Sequence, residues 1–226
     1  MTVSQFIGGR AVVDVIYVGK GPAPTTGGSS TTMDFTGVSY GDAEPDRTVK
    51  IIVSFVSSTS GITVSAGTIG GVAYSVDHIH STLIITTYHY VAIISAPVPT
   101  GTSGAVQINF SSSVTNDLEI DVYSLLGLLS ATPIDTGQFA VSGVTSGSFN
   151  IDAQAGGAIL FGLFARISAG FTLTGVNEDY DAGWVASGTY SIAGGSYEPT
   201  ADELNRTVTA NRGTNFTGVG VGASYR

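Results

Sequence analysis

Between Tyr88 and Leu126 the chain makes three runs of strand-forming residues divided by turn chemistry: Tyr88-His-Tyr-Val-Ala-Ile-Ile-Ser95, Ala105-Val-Gln-Ile-Asn-Phe110 and Leu118-Glu-Ile-Asp-Val-Tyr-Ser-Leu125. Pro97 and Pro99 fix φ in the first divider, Gly101 and Gly104 are expected to supply positive φ, and Ser, Thr and Asn make the second divider. In the third run Leu118, Ile120, Val122 and Ser124 alternate with Glu119, Asp121, Tyr123 and Leu125. That period of two predicts one apolar and one largely acidic face, as in an antiparallel sheet wet on one side. The stretch reads as the central meander of a β-sandwich. It speaks to fold and carries no reaction chemistry.

Runs of the same kind fill the rest of the chain. They lie at 11–18, 34–40, 48–56, 62–66, 69–76 and 83–87, and again at 138–141, 148–151, 158–165, 171–175, 184–192, 206–210 and 216–224. The nearly all-apolar run 158–165 predicts a segment buried on both faces, with Gly162 favouring a strand and a buried helix as the alternative. Only 200–204 offers a helical turn, with Thr200 as cap and Glu203 three residues on. About a dozen strands with turn signals every 8–12 residues predict an all-β chain, an antiparallel β-sandwich of jelly-roll type. Residues 19–32 are rich in Gly, Pro, Ser and Thr, so the sandwich is expected at 33–226 behind an N-terminal arm at 1–32. A lone apolar strand on a tether cannot satisfy its own backbone groups. Ala11, Val12, Val13, Val15, Ile16 and Val18 are therefore expected to dock by adding a strand to a neighbouring chain, the alternative being pairing within their own sandwich.

Of the 226 residues, 42% are apolar and only 11% charged, against about a quarter charged in ordinary soluble proteins. Interface cores are depleted of charge, which predicts a homo-oligomer, the alternative being a monomer covered by Ser, Thr and Gly. The net charge of −9, with eight Lys and Arg scattered along the chain, argues against nucleic-acid binding. No apolar run reaches the ~18 residues that would span a membrane, so no membrane insertion is expected. Cysteine is absent, which removes disulfide and thiolate chemistry. The first ten residues have no basic segment of the kind that opens a signal peptide, which predicts assembly in the cytoplasm.

Two clusters carry potential chemistry. His78 and His80 share a strand face at a spacing usable for metal ligation, with Asp77 before them and His89 on a following strand. No third ligand can be placed, so they read as hydrogen-bonding histidines and no metal or other cofactor is expected. Asn177, Glu178, Asp179, Tyr180 and Asp181, followed by Trp184, place carboxylates beside aromatic rings. Such a loop can bind a glycan, since carboxylates accept hydroxyl protons and rings stack on the sugar's C–H face. It can equally hold Ca²⁺, or be an acidic turn with Trp184 in the core. No nucleophile elbow and no phosphate-binding glycine loop is present, and the chain is not expected to be an enzyme.

Several motifs fall in a recognisable order: Arg47-Thr-Val-Lys-Ile-Ile-Val, Thr68-Ile-Gly-Gly-Val-Ala, Pro97-Val-Pro-Thr-Gly-Thr-Ser-Gly104, Gly156-Gly-Ala-Ile-Leu, Thr172-Leu-Thr-Gly-Val-Asn-Glu-Asp-Tyr-Asp and Gly218-Val-Gly-Val-Gly-Ala-Ser-Tyr-Arg. Over residues 33–226 this resembles jelly-roll virion surface proteins of alphaproteobacterial tailed phages and phage-like gene transfer agents. The resemblance implies a non-enzymatic structural role as a head spike, head fibre or tail accessory protein. It implies capsid or tail proteins as partners, a place on the virion, and contact with host surface polysaccharide. A lectin-like glycan-binding module is the alternative.

Overall fold

The computed structural model describes residues 6–7, 10–115, 117–167, 170–183 and 190–226, and among them it is all-β, with no helix. The strands in chain order are β1 (Phe6–Ile7), β2 (Arg10–Ala11), β3 (Asp14–Lys20), β4 (Ser30–Ser39), β5 (Thr48–Ser57), β6 (Thr68–Ile69), β7 (Val72–Ala73), β8 (Ser75–Ile84) and β9 (Thr87–Pro97). They continue as β10 (Ser103–Val114), β11 (Leu118–Leu126), β12 (Asp135–Ala153), β13 (Ala158–Ala165), β14 (Thr172–Thr174), β15 (Asn177–Gly183), β16 (Ser191–Tyr197) and β17 (Glu203–Tyr225). All pairings are antiparallel, in a small β1-β2 hairpin and three larger sheets. These are ordered β4-β10-β6-β7, β3-β11-β5-β9-β8 and β12-β17-β13-β16-β15, with β14 added to β17.

The expected antiparallel sandwich is present as the first two of these sheets. Met33 and Phe35 of β4 and Ile108 of β10 interleave with Ile51, Phe55 and Ile94 of the five-stranded sheet. The third sheet covers the other side of the five-stranded one. Ile52, Val91 and Ile93 meet Leu160, Phe164, Val219 and Val221 there. The middle sheet is therefore buried on both faces, and every residue of β5 is buried. Gly162 allows the close approach, since a Cβ at that position would lie 2.5 Å from Ile52 Cγ2.

This stacking corrects the central meander. β9 and β11 both flank β5, while β10 lies in the facing sheet, so the chain crosses the sandwich and returns. The strand wet on one side is β10, where Val106, Ile108 and Phe110 are buried and Gln107 is exposed. β11 is covered on its acidic face by the third sheet, which leaves Glu119 and Asp121 buried.

The third sheet folds over on itself. In a straight strand, Gly137 and Phe149 of β12 would stand about 40 Å apart. Instead a Cβ at Gly137 would collide with the Phe149 ring, and one at Gly147 would lie 2.5 Å from the Phe139 ring. The fold-back falls at the register slips on either side of Val144, where Gly143 takes φ +68° and Gly213 takes φ +75°. A third core with Phe139, Phe149, Phe161, Leu173 and Val208 fills the space enclosed.

The N-terminal arm takes another form than expected. β3 pairs with β11 within the chain, from Lys20 opposite Asp121 to Asp14 opposite Leu126. The outward N–H of Val13 donates to Gly156 O at 2.8 Å, and that of Val15 to Glu198 Oε1 at 2.8 Å. Val13 is buried in the second core, Val15 packs on that core and Val18 on the first, Val12 is half-buried, Ile16 is exposed, and Ala11 belongs to β2. β3 thus pairs along one side within its own chain, as in the alternative weighed against docking, while its other side is an edge of the sheet. The boundary at 32/33 falls inside β4, and the helical turn at 200–204 is replaced by the start of β17 at Glu203.

Candidate functional site

β11 presents Glu119, Asp121 and Tyr123 on the face toward the third sheet, as strand alternation dictates. β3 lies beside it, with Tyr17 opposite Tyr123 and a register slip between Val122 and Tyr123. β15, an edge strand of the third sheet, closes the other side. Consecutive residues of a regular strand face opposite ways. The register slip between Glu178 and Tyr180 lets Asp179 and Tyr180 both reach the seam. Gly194 leaves room, because a Cβ there would collide with the Tyr180 ring.

Three tyrosines and two carboxylates meet at this seam. The Tyr17 hydroxyl donates to Asp121 Oδ1 at 2.9 Å, and the Tyr123 hydroxyl donates to Asp179 Oδ2 at 3.0 Å. The Tyr17 ring stacks on Tyr180 with centroids 5.2 Å apart and tilts against Tyr123 at 5.1 Å. Burial pushes Asp121 up to about 7, against the Tyr17 hydrogen bond and with the help of the Glu119 charge. Burial also raises Asp179, opposed by hydrogen bonds from Ser196 and Tyr123, and it raises all three phenols. The nearby cation, Lys20, pairs with Glu119 at 2.7 Å. Chemically the seam can hold a proton on a carboxyl near neutrality.

A second polar cluster crosses the same two sheets. Lys50 Nζ lies 2.9 Å from Asp77 Oδ2, with both side chains buried, and donates to Ala131 O at 2.7 Å. The Tyr225 hydroxyl donates to Asp77 Oδ2 at 2.8 Å, the Ser95 hydroxyl to Oδ1 at 2.9 Å, and the Tyr225 ring sits 3.6 Å from the Lys50 ammonium. Burial lowers Lys50 to about 8, against the attraction of Asp77.

The described residues among those singled out for a glycan or Ca²⁺ take different positions. Asn177 and Glu178 are exposed, Asp179 and Tyr180 turn into the seam, and Trp184 lies outside the described residues. Asp181 Oδ2 accepts the N–H groups of Gly170 and Phe171 at 2.7 and 2.8 Å, which ties down a turn. His78 and His80 lie on β8, both half-buried, and desolvation lowers both. His89 is fully buried between Phe164 and Tyr190 and is pushed down to about 4, mainly by burial. Among the described residues no group of three or more His, Asp or Glu side chains is arranged to hold a metal ion. Sequence reading reached Asp179 and Tyr180 but missed Tyr17, Asp121 and Tyr123. The available signal was the run Glu119-Ile-Asp-Val-Tyr123, acids and an aromatic on one strand face.

Among the described residues no helix is long and apolar enough to cross a membrane. Set against known protein families, curated proteins and solved structures, the chain matches none.

Proposed function

We propose that this chain is a non-enzymatic structural component of a phage or phage-like particle. It stands on the virion surface as a head spike, head fibre or tail accessory protein and contributes to host attachment. The observation that carries this reading is the stack of antiparallel sheets, tied through buried polar clusters in a chain with only 11% charged residues. Such a stack makes a rigid block, and a surface so poor in charge suits contact with other subunits. Its partners are then capsid or tail proteins and further copies of itself in a closed symmetric oligomer.

Size-exclusion chromatography with light scattering, followed by cryo-electron microscopy of particles assembled with the chain, tests the reading. A defined ring or trimer and density on the particle surface are expected. A monomer at all concentrations that leaves no density on any particle sinks it. A glycan array with host surface polysaccharide tests the attachment role separately.

A further inference from the structure

We propose that the seam between β3, β11 and β15 is an acid-tightened clasp, closed when Asp121 carries a proton and loosened when it ionises. The inference stands on where the seam lies and on what faces Asp121. β3 and β11 are neighbours at one end of the middle sheet, and β15 is the edge strand of the third sheet, so the cluster ties two sheets together at their margin. It joins the chain before residue 127 to the chain after residue 134.

Burial, with the Glu119 charge beside it, favours the neutral form of Asp121 against the other groups that surround it. From β3 come Tyr17, which donates to it, and Lys20, whose ammonium is held by Glu119. From β11 itself come Glu119, a like charge, and Tyr123, whose hydroxyl is taken by Asp179. From β15 come Tyr180, which hydrogen-bonds Asp121, and Asp179, a second carboxylate. From β5 comes Lys50, whose ammonium is bound to Asp77 and Ala131 O. Two hydroxyl donors hold the carboxylate, yet they do not offset burial, and each cation in reach has a closer partner. A carboxyl only 1% exposed in such surroundings keeps its proton far above the ordinary range.

The sign follows from linkage. Opening the seam returns Asp121 to water, where it ionises at the usual carboxylate pH. Closing it raises that pH. The closed seam therefore binds the proton more tightly, is fully favoured in acid, and loses its advantage as pH rises through about 7. For one such group the opening constant rises about tenfold between about pH 6 and about pH 8.

The test is native-state hydrogen exchange of β3 and β15 amides in the full chain, corrected for the intrinsic pH dependence of exchange, with the Asp121→Asn variant beside it. A rise of about tenfold in the opening constant for the unmodified chain, absent in Asp121→Asn, supports the clasp. A constant level in the unmodified chain, or the same rise in both, overturns it. Should the variant not fold, a carbon-detected NMR titration of the Asp121 carboxyl in the unmodified chain decides alone. A midpoint near 7 supports the clasp, and one in the ordinary carboxylate range overturns it.

Discussion

Arg47 is 1% exposed, and its guanidinium binds carbonyl oxygens where a carboxylate would be the usual partner. Nε donates to Val98 O at 2.7 Å, Nη1 to Asp42 O at 2.6 Å and Nη2 to Gly101 O at 2.7 Å, so one side chain holds the 40–42 and 98–101 turns together. Arg47→Ala would leave these carbonyls unsatisfied, and a loss of about 3–5 kcal/mol is expected in urea unfolding. Arg47→Lys should recover little of it, since a single ammonium cannot reproduce the planar fork. Lys50 and Asp77 behave differently because they are each other's partner. Lys50→Met alone strands a buried carboxylate, with an expected loss of about 3–5 kcal/mol, whereas Lys50→Met with Asp77→Leu should recover most of it. If the double variant is no more stable than the single one, the pair contributes more than mutual neutralisation.

At the scale of elements, alternation located most strands but could not say what covers them. The run Leu118-Glu-Ile-Asp-Val-Tyr looks the same whether its acidic side meets water or another sheet, which is why the seam at Asp121 was hidden. Residues 138–141 and 148–151 read as two short strands because 142–146 between them are, Val144 apart, Ser, Gly and Thr. They are one strand turned back at Gly143. The candidate glycan residues were legible as a group in the chain, but the register slip in β15 sends Asp179 and Tyr180 inward and leaves Asn177 and Glu178 outside. Alternation likewise could not show that β3 has a partner, β11, within its own chain. Because β3 covers β11 and supplies Tyr17 to the seam, a chain lacking residues 1–29 should lose its cooperative thermal transition in circular dichroism. A truncated chain that melts like the full one would return β3 to the role of an appendage.

For the whole molecule, two buried groups titrate in opposite senses. Asp121 is raised to about 7, so its contribution favours the fold in acid and is lost as pH rises through about 7. His89 is lowered to about 4, so its contribution is present above its unfolded value near 6.5 and is lost as pH falls through about 4. Between these limits the folded chain holds one proton more at Asp121 and one fewer at His89 than the unfolded chain. The two slopes oppose each other, and the pair should leave unfolding free energy nearly level from about pH 4.5 to about pH 6. Urea titrations should then tilt upward with pH in Asp121→Asn and downward in His89→Phe. Level profiles in both variants would show that neither group carries the shift.

β17 pairs with β12, β13 and β14, all of which are made before it. On the ribosome those three strands wait with no common partner until residues 203–225 emerge. Until then Val91 and Ile93 of the middle sheet lack the cover of Val219 and Val221. In the C-terminal half β13, β16 and β15 can pair as they are made, but the sheet cannot be completed before β17. It closes late, when β17 joins β12, β13 and β14 across long loops. Chains released early would carry an open apolar sheet face, and they should be lost to aggregation or proteolysis.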